Sequence, residues 1–184
     1  MPSRELLSND IRKDIFNSIK LYILATQNEE IQIETVRVLS NLSRHHVLCA
    51  EFVNDNTFVE ALCVVLDHTL RDLVFYSVGI IINITLHEES RQMIIEKHNV
   101  IPKLIEVLRD ANIEDIDLSK VAAKALHNMT QIKVTHNNQV SEFWSNESIK
   151  KLNEVLENLG DELDSIMVSK LFYFWFDIDF IRFL

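Results

Sequence analysis

The chain has 184 residues, 47% of them hydrophobic, and a formal net charge of −10. That length and apolar content suffice for a substantial core, and the acidic balance excludes nucleic acid and anionic membrane surfaces as favoured partners, leaving a weak preference for basic ones. With two Gly, two Pro and no alternating apolar runs, the sequence predicts a nearly all-helical chain with short connections.

In chain order, the N-terminal MPSRELLSNDIRKD lacks an apolar segment of signal-peptide type, and no run approaches the roughly 18 apolar residues of a membrane span. IKLYILATQ at 19–27 is weakly amphipathic, and VRVLSNLSR at 36–44 is the first strong helical pattern. A short helix is expected at 47–55 (VLCAEFVND) and a longer one at 58–68 (FVEALCVVLDH). The order then recurs. VGIIINITL at 78–86 is followed by SRQMIIEKH at 90–98, IPKLIEVLRDA at 101–111, AKALHNMTQ at 123–131, QVSEFWSNE at 139–147 and IKKLNEVLENL at 149–159.

Three of these segments align without gaps on Asn41, Asn83 and Asn128, each with a hydroxyl residue two positions on (Ser43, Thr85, Thr130). The spacings are 83 − 41 = 42 and 128 − 83 = 45, the longer one reflecting the linker IEDIDLS at 113–119. Leu62, Leu104 and Leu152 correspond, as do Leu66, Leu108 and Leu156, and Phe52, Ile94 and Phe143. The unit is therefore a short helix, a longer Leu helix and an Asn-bearing helix, about 42–45 residues in all. Asn and Asp at the junctions NDNT and KHNVIP, and Ser and Asn at SNES, suit helix capping, and Pro102 suits a first turn. The N-x-S/T triplets at 41, 83 and 128 recur because the repeat recurs, so they are read as part of the repeat rather than as glycosylation acceptors.

The period, the Asn motif and the three-helix unit resemble the armadillo family. The resemblance implies an all-α, right-handed armadillo α-solenoid of about four three-helix repeats in one domain, 1–184. The units are approximately 1–45 (incomplete), 46–87, 88–132 and 133–184. ETVRVLSNLSR (34–44) and VGIIINIT (78–85) look most like a cilium-associated branch of that family linked to radial-spoke assembly.

In such proteins the third helices line a groove where Asn side chains bond the backbone of an extended peptide. By position, the peptide-binding set is Asn41, Asn83 and Asn128, with Arg37, Lys120 and Lys124 as a basic strip. The alternative is that the amides satisfy backbone groups near helix ends and the cations are ordinary solvated charges. The import receptors of the family carry Trp four residues before the Asn. Here those positions are Arg37, Gly79 and Lys124, which argues against that role. Gly79 reads as a close-packing point.

LFYFWFDIDFIRFL at 171–184 holds seven of the fifteen aromatic residues. At helical spacing, one stripe runs through Leu171, Trp175 and Ile178. A second, through Phe172, Phe176, Phe180 and Phe183, is predicted to be a partner interface, against the alternatives that it folds back on the repeats or that the protein continues beyond Leu184. Cys49 and Cys63 lie in apolar helical patterns and read as buried, reduced thiols. His45 and His46 are adjacent and no i, i+4 pair of His occurs, so no metal site is expected. Without a phosphate-binding loop or a recognisable catalytic constellation, the sequence predicts no enzyme, cofactor or small-molecule substrate.

The function expected is a non-enzymatic protein–protein scaffold in the cytoplasm and cytoskeleton, at the ciliary axoneme near radial spokes. The alternative is a soluble cargo or transport adaptor that captures extended peptides in the cytoplasm or nucleus.

Overall fold

The computed structural model describes residues 7–98, 100–111, 114–131 and 145–159. Among them are ten α-helices and no strand. In order these are α1 (Asn9–Ile19), α2 (Tyr22–Ala25), α3 (Glu29–Leu42), α4 (His46–Asn54), α5 (Asn56–Val65), α6 (Arg71–Thr85), α7 (Glu88–Lys97), α8 (Val100–Ala111), α9 (Ile116–Thr130) and α10 (Asn146–Leu159). The chain divides into two compact units, Met1–Ser90 and Arg91–Leu184.

Side-chain caps start the helices where the sequence places small polar residues. Ser8 accepts from the Ile11 N–H at 3.3 Å, Asn28 from Ile31 at 3.2 Å, Asp55 from Phe58 at 3.0 Å, Asp115 from Leu118 at 3.1 Å and Ser145 from Ser148 at 3.0 Å. Each satisfies one of the amide groups a helix start leaves without an internal partner.

In the first unit, helices stack in three layers: α1 on α4, α2 on α5 and α3 on α6. This is one three-helix repeat laid against the next. Phe16 of α1, Phe52 of α4 and Phe58 of α5, all buried, form a mutual aromatic cluster with centroid separations of 4.4, 5.1 and 4.9 Å. Offset and edge-on ring contacts add to the apolar burial that holds the repeats together.

The second unit repeats the plan. α8 packs on α9 within one repeat and on α10 of the next. Leu104 and Leu108 are fully buried, Leu152 is nearly so, and Ile94 in α7 occupies the position Phe52 fills in α4. Arg91 of α7 donates to the Gln131 carbonyl beyond α9 at 2.8 Å.

One element departs from the sequence pattern. The weak apolar periodicity of 19–27 continues one helical run, yet α1 stops at Ile19, residues 20–21 form a turn, and α2 has a single turn of four residues. The turn is tied down from a distance. The Lys20 ammonium pairs with Asp55, the N-cap of α5, and lies 4.9 Å from the centre of the Phe16 ring.

Candidate functional site

The third-helix layer of the first unit holds the best-defined polar arrangement. Near the end of α3, the Leu39, Asn41 and Leu42 carbonyls accept from Ser43, Arg44 and His45 N–H groups, which leaves the Ser40 carbonyl for other partners. The Ser43 hydroxyl donates to it at 2.7 Å. The Asn83 amide of α6 donates to that same carbonyl at 3.3 Å and to Ser43 Oγ at 2.8 Å. Both Asn83 N–H groups are thus spent on the neighbouring repeat, closing off its last turn. Among the described residues, no donor reaches Asn83 Oδ1.

The approach is close because Gly79 lies one turn before Asn83. A Cβ at Gly79 would sit 3.0 Å from Ser40 Oγ, so the backbones come together where a side chain would intrude. Cys49 of α4 completes the junction, its buried thiol 3.1 Å from the Ser43 carbonyl. Burial pushes that thiol up to about 11, so it is a packing group rather than a nucleophile. The repeated hydroxyl has the same local task in each motif: Thr85 donates to the Ile81 and Ile82 carbonyls, and Thr130 to that of His127.

The candidate residues therefore separate. Asn41 is exposed, and among the described residues its side chain has no hydrogen-bond partner. Asn83 is half-buried and used as a tie, and Asn128 is nine-tenths buried in α9. Arg37 is exposed one turn before Asn41 and is answered on its own helix by Glu34, with Nε at 3.0 Å from the carboxylate. The Glu34 hydrogen bond and charge hold the guanidinium above its ordinary value. Lys120 and Lys124 are both exposed and share a face of α9, in the second unit. Phe172, Phe176, Phe180 and Phe183 lie outside the described residues.

Two features were not found from the sequence. Phe75 and Tyr76 of α6 are half-buried and meet edge to face at 5.7 Å, with the Arg71 guanidinium 4.7 Å from the centre of the Phe75 ring. Tyr76, Gly79 and Asn83 share one helical face, so this cation-topped aromatic pair belongs to the layer that carries the Asn motif. The repeat offset of 42 identifies it, since Tyr76 is the equivalent of Glu34. Secondly, the His46 and His87 rings lie 5.2 Å apart. Burial, then the His46 charge, pulls His87 below its ordinary value. No group of three or more His, Cys, Asp or Glu that could hold a metal occurs among the described residues. No described helix is long and apolar enough to cross a membrane.

Comparison with known structures decides the type of repeat. A designed armadillo repeat protein superposes on 89% of this chain and 66% of its own, with a TM-score of 0.62 at 19% sequence identity. The repeats have the armadillo fold. The fold is accordingly an armadillo-type α-solenoid. No protein-family model matches the chain. Human armadillo repeat-containing protein 2 is 29% identical over 159 residues, which is 83% of this chain but 18% of the human protein. The mouse protein of that name is 30% identical over 120 residues, 65% of this chain and 14% of its own length. The bovine one is 29% identical over 128 residues. The chain thus spans less than a fifth of the length of these relatives.

Proposed function

We propose that the chain is a non-enzymatic docking scaffold of the ciliary axoneme, near the radial spokes, and that the third-helix layer receives an extended segment of a partner protein. The observation that carries the docking role is the division of labour within that layer. Asn83 holds α3 and α6 together through its N–H groups and, among the described residues, leaves Oδ1 without a donor, while Asn41 presents an amide unbonded by any of them one turn from Arg37. An amide that both donates and accepts can pair with a peptide group whatever side chain it carries. The Phe75–Tyr76 pair adds apolar contact on the same layer, where an aromatic anchor would concentrate binding energy. The axonemal placement rests on the similarity to armadillo repeat-containing protein 2 and on the ciliary association that the sequence resemblance implies.

Extraction of cilia with detergent and then salt tests the placement. A scaffold stays with the microtubule skeleton, whereas release in detergent alone would support the adaptor reading. For the docking layer, Arg37→Ala with Asn41→Ala should weaken capture of co-purifying axonemal proteins roughly tenfold while leaving helical content unchanged. Unaltered capture would remove this layer as the docking surface.

A further inference from the structure

The third-helix layer carries its charge differently in the two units. In the first, the cations beside the Asn motif are already answered. Arg37 pairs with Glu34 on α3, and Arg71, whose guanidinium lies over the Phe75 ring, is 3.2 Å from the Asp72 carboxylate. In the second, the fully exposed positions of α9 are Asp117, Lys120 and Lys124. Spacings of three and four residues put them on one narrow face. Among the described residues, no carboxylate pairs with either lysine. Asp117 belongs to the first turn, where the amide end of the helix favours a negative charge. Arg91 of α7, bonded to the Gln131 carbonyl, brings a third cation to the other end of α9.

Repeat positions show that this charge does not come with the motif. The offset of 45 places Lys120 where α6 has Phe75, and Lys124 where it has Gly79. In α6 those positions serve an aromatic contact and a close helix approach. In α9 both carry long cationic side chains and both are exposed. Lysines four residues apart on a helix repel each other, so the pair is a local cost to α9 that no described carboxylate relieves. Their Cα atoms stand about 6 Å apart along the helix axis, and the stems are flexible. Both ammonium groups can therefore converge on one carboxylate or on two near neighbours.

A carboxylate brought from outside removes that repulsion and meets two donors at once. We propose that the Lys120–Lys124 row of α9 receives an acidic stretch of a partner protein, rich in Asp or Glu. This rests on the reading that the third-helix layer takes up a partner segment, and adds the charge of the part that meets the second unit. The net charge of −10 favours basic partners at long range. Salt screens exposed charges beyond about 8 Å, so at contact the local row decides. The first unit makes no such demand, because Glu34 and Asp72 already answer Arg37 and Arg71.

Fluorescence anisotropy of the full chain with dye-labelled hexaglutamate and hexaglutamine tests it. The acidic peptide should bind about tenfold more tightly than the neutral one at about 50 mM salt, and lose that advantage as salt rises. Lys124→Glu should weaken the acidic peptide about tenfold without lowering the melting temperature, because a carboxylate four residues after Lys120 turns repulsion into attraction. Lys120→Arg with Lys124→Arg keeps the charge and should hold affinity within about twofold. Arg37→Ala with Asn41→Ala, in the first unit, should leave this peptide's affinity unchanged. Equal affinity for the two peptides, or an acidic peptide that binds Lys124→Glu as tightly as wild type, overturns the proposal. Capture of axonemal proteins by the Arg37→Ala/Asn41→Ala variant separates that failure from failure of the docking reading. If capture is still reduced, only the acidic assignment falls; if capture is unaltered as well, both fall.

Discussion

Two layers of the first unit pack the same two repeats against each other by opposite means. The third-helix layer is closed: Gly79 lets α6 approach α3, Asn83 spans the gap, and the apolar residues between are fully buried. The second-helix layer is open: α2 ends after one turn, Val64 is exposed, and the main polar tie is the Lys20–Asp55 ion pair at its edge. Polar groups in the closed layer satisfy backbone that would otherwise be buried without a partner. The ion pair in the open layer is a partly solvated contact of the kind that contributes little. Stability should therefore concentrate in the first layer, and tolerance to substitution in the second.

The largest expected effect contrasts apolar truncations. Leu39→Ala, at a fully buried position of α3, should cost about 2–5 kcal/mol in chemical denaturation, whereas Val64→Ala in α5 should stay within about 0.5 kcal/mol. Comparable losses would show that the open layer is covered in solution and would break the contrast. Next in size is Asn83→Ala, which strips the Ser40 carbonyl and Ser43 hydroxyl of a donor and should cost about 1–2 kcal/mol. Asn41→Ala, at the same place in its motif, should be close to neutral for stability. Equal losses at both would mean that Asn41 is also a structural tie.

The layers should also part company in pH. Burial pulls His87, at the end of α6, below its ordinary value, so the unfolded chain takes up that proton more readily. Its effect on stability is absent above the ordinary His value near 6.5 and grows as pH falls through it. Burial pushes the Asp55 carboxyl up, but the Lys20 hydrogen bond and charge, with the Phe58 and Thr57 N–H groups, outweigh it and leave the group below its ordinary value. Its contribution is complete above about pH 4 and is lost as pH falls through the lower folded value. Thermal melts across pH should then show a modest step near pH 6 that His87→Gln removes. A second step below pH 4 should be reduced by Asp55→Asn, which keeps a capping oxygen but cannot form the ion pair. Steps that survive both substitutions would refer the acid response to other groups.

What the sequence discloses about this molecule follows from which features are local. Helix positions, capping residues and buried Leu positions are set within a few residues, and the period exposes them: Leu62 and Leu104 are fully buried, as are Phe52 and Ile94. The separate tasks of Asn41 and Asn83 are not local. Their flanking residues are nearly interchangeable, and what differs is whether a neighbouring helix end offers an acceptor. The stop at Lys20 likewise depends on a carboxylate 35 residues away, so the apolar pattern of 19–27 reads on through it. The His46–His87 contact joins the start of α4 to the end of α6 and carries no i, i+4 signal. Phe75 and Tyr76 could have been noticed by comparing repeat positions instead of searching for motif residues.

The smallest expected effect probes the closeness of the closed layer most directly. Gly79 lies within a helix, where alanine is favoured by about 1 kcal/mol. The added Cβ would meet Ser40 Oγ at 3.0 Å, a contact tight enough to force the hydroxyl aside. Gly79→Ala should therefore return little of its helix gain, with a net change within about 0.5 kcal/mol. Replacing Ser40 by Ala removes the obstructing oxygen and leaves the backbone carbonyl that Asn83 uses. The double variant Gly79→Ala/Ser40→Ala should then recover most of the propensity gain, giving a coupling of about 0.5–1 kcal/mol between the sites. Strict additivity would mean that the hydroxyl is not what selects glycine. The close approach would then have to be explained by the backbones themselves, and a bulkier residue at Gly79 would be predicted to separate α3 from α6 and break the Asn83 bonds with them.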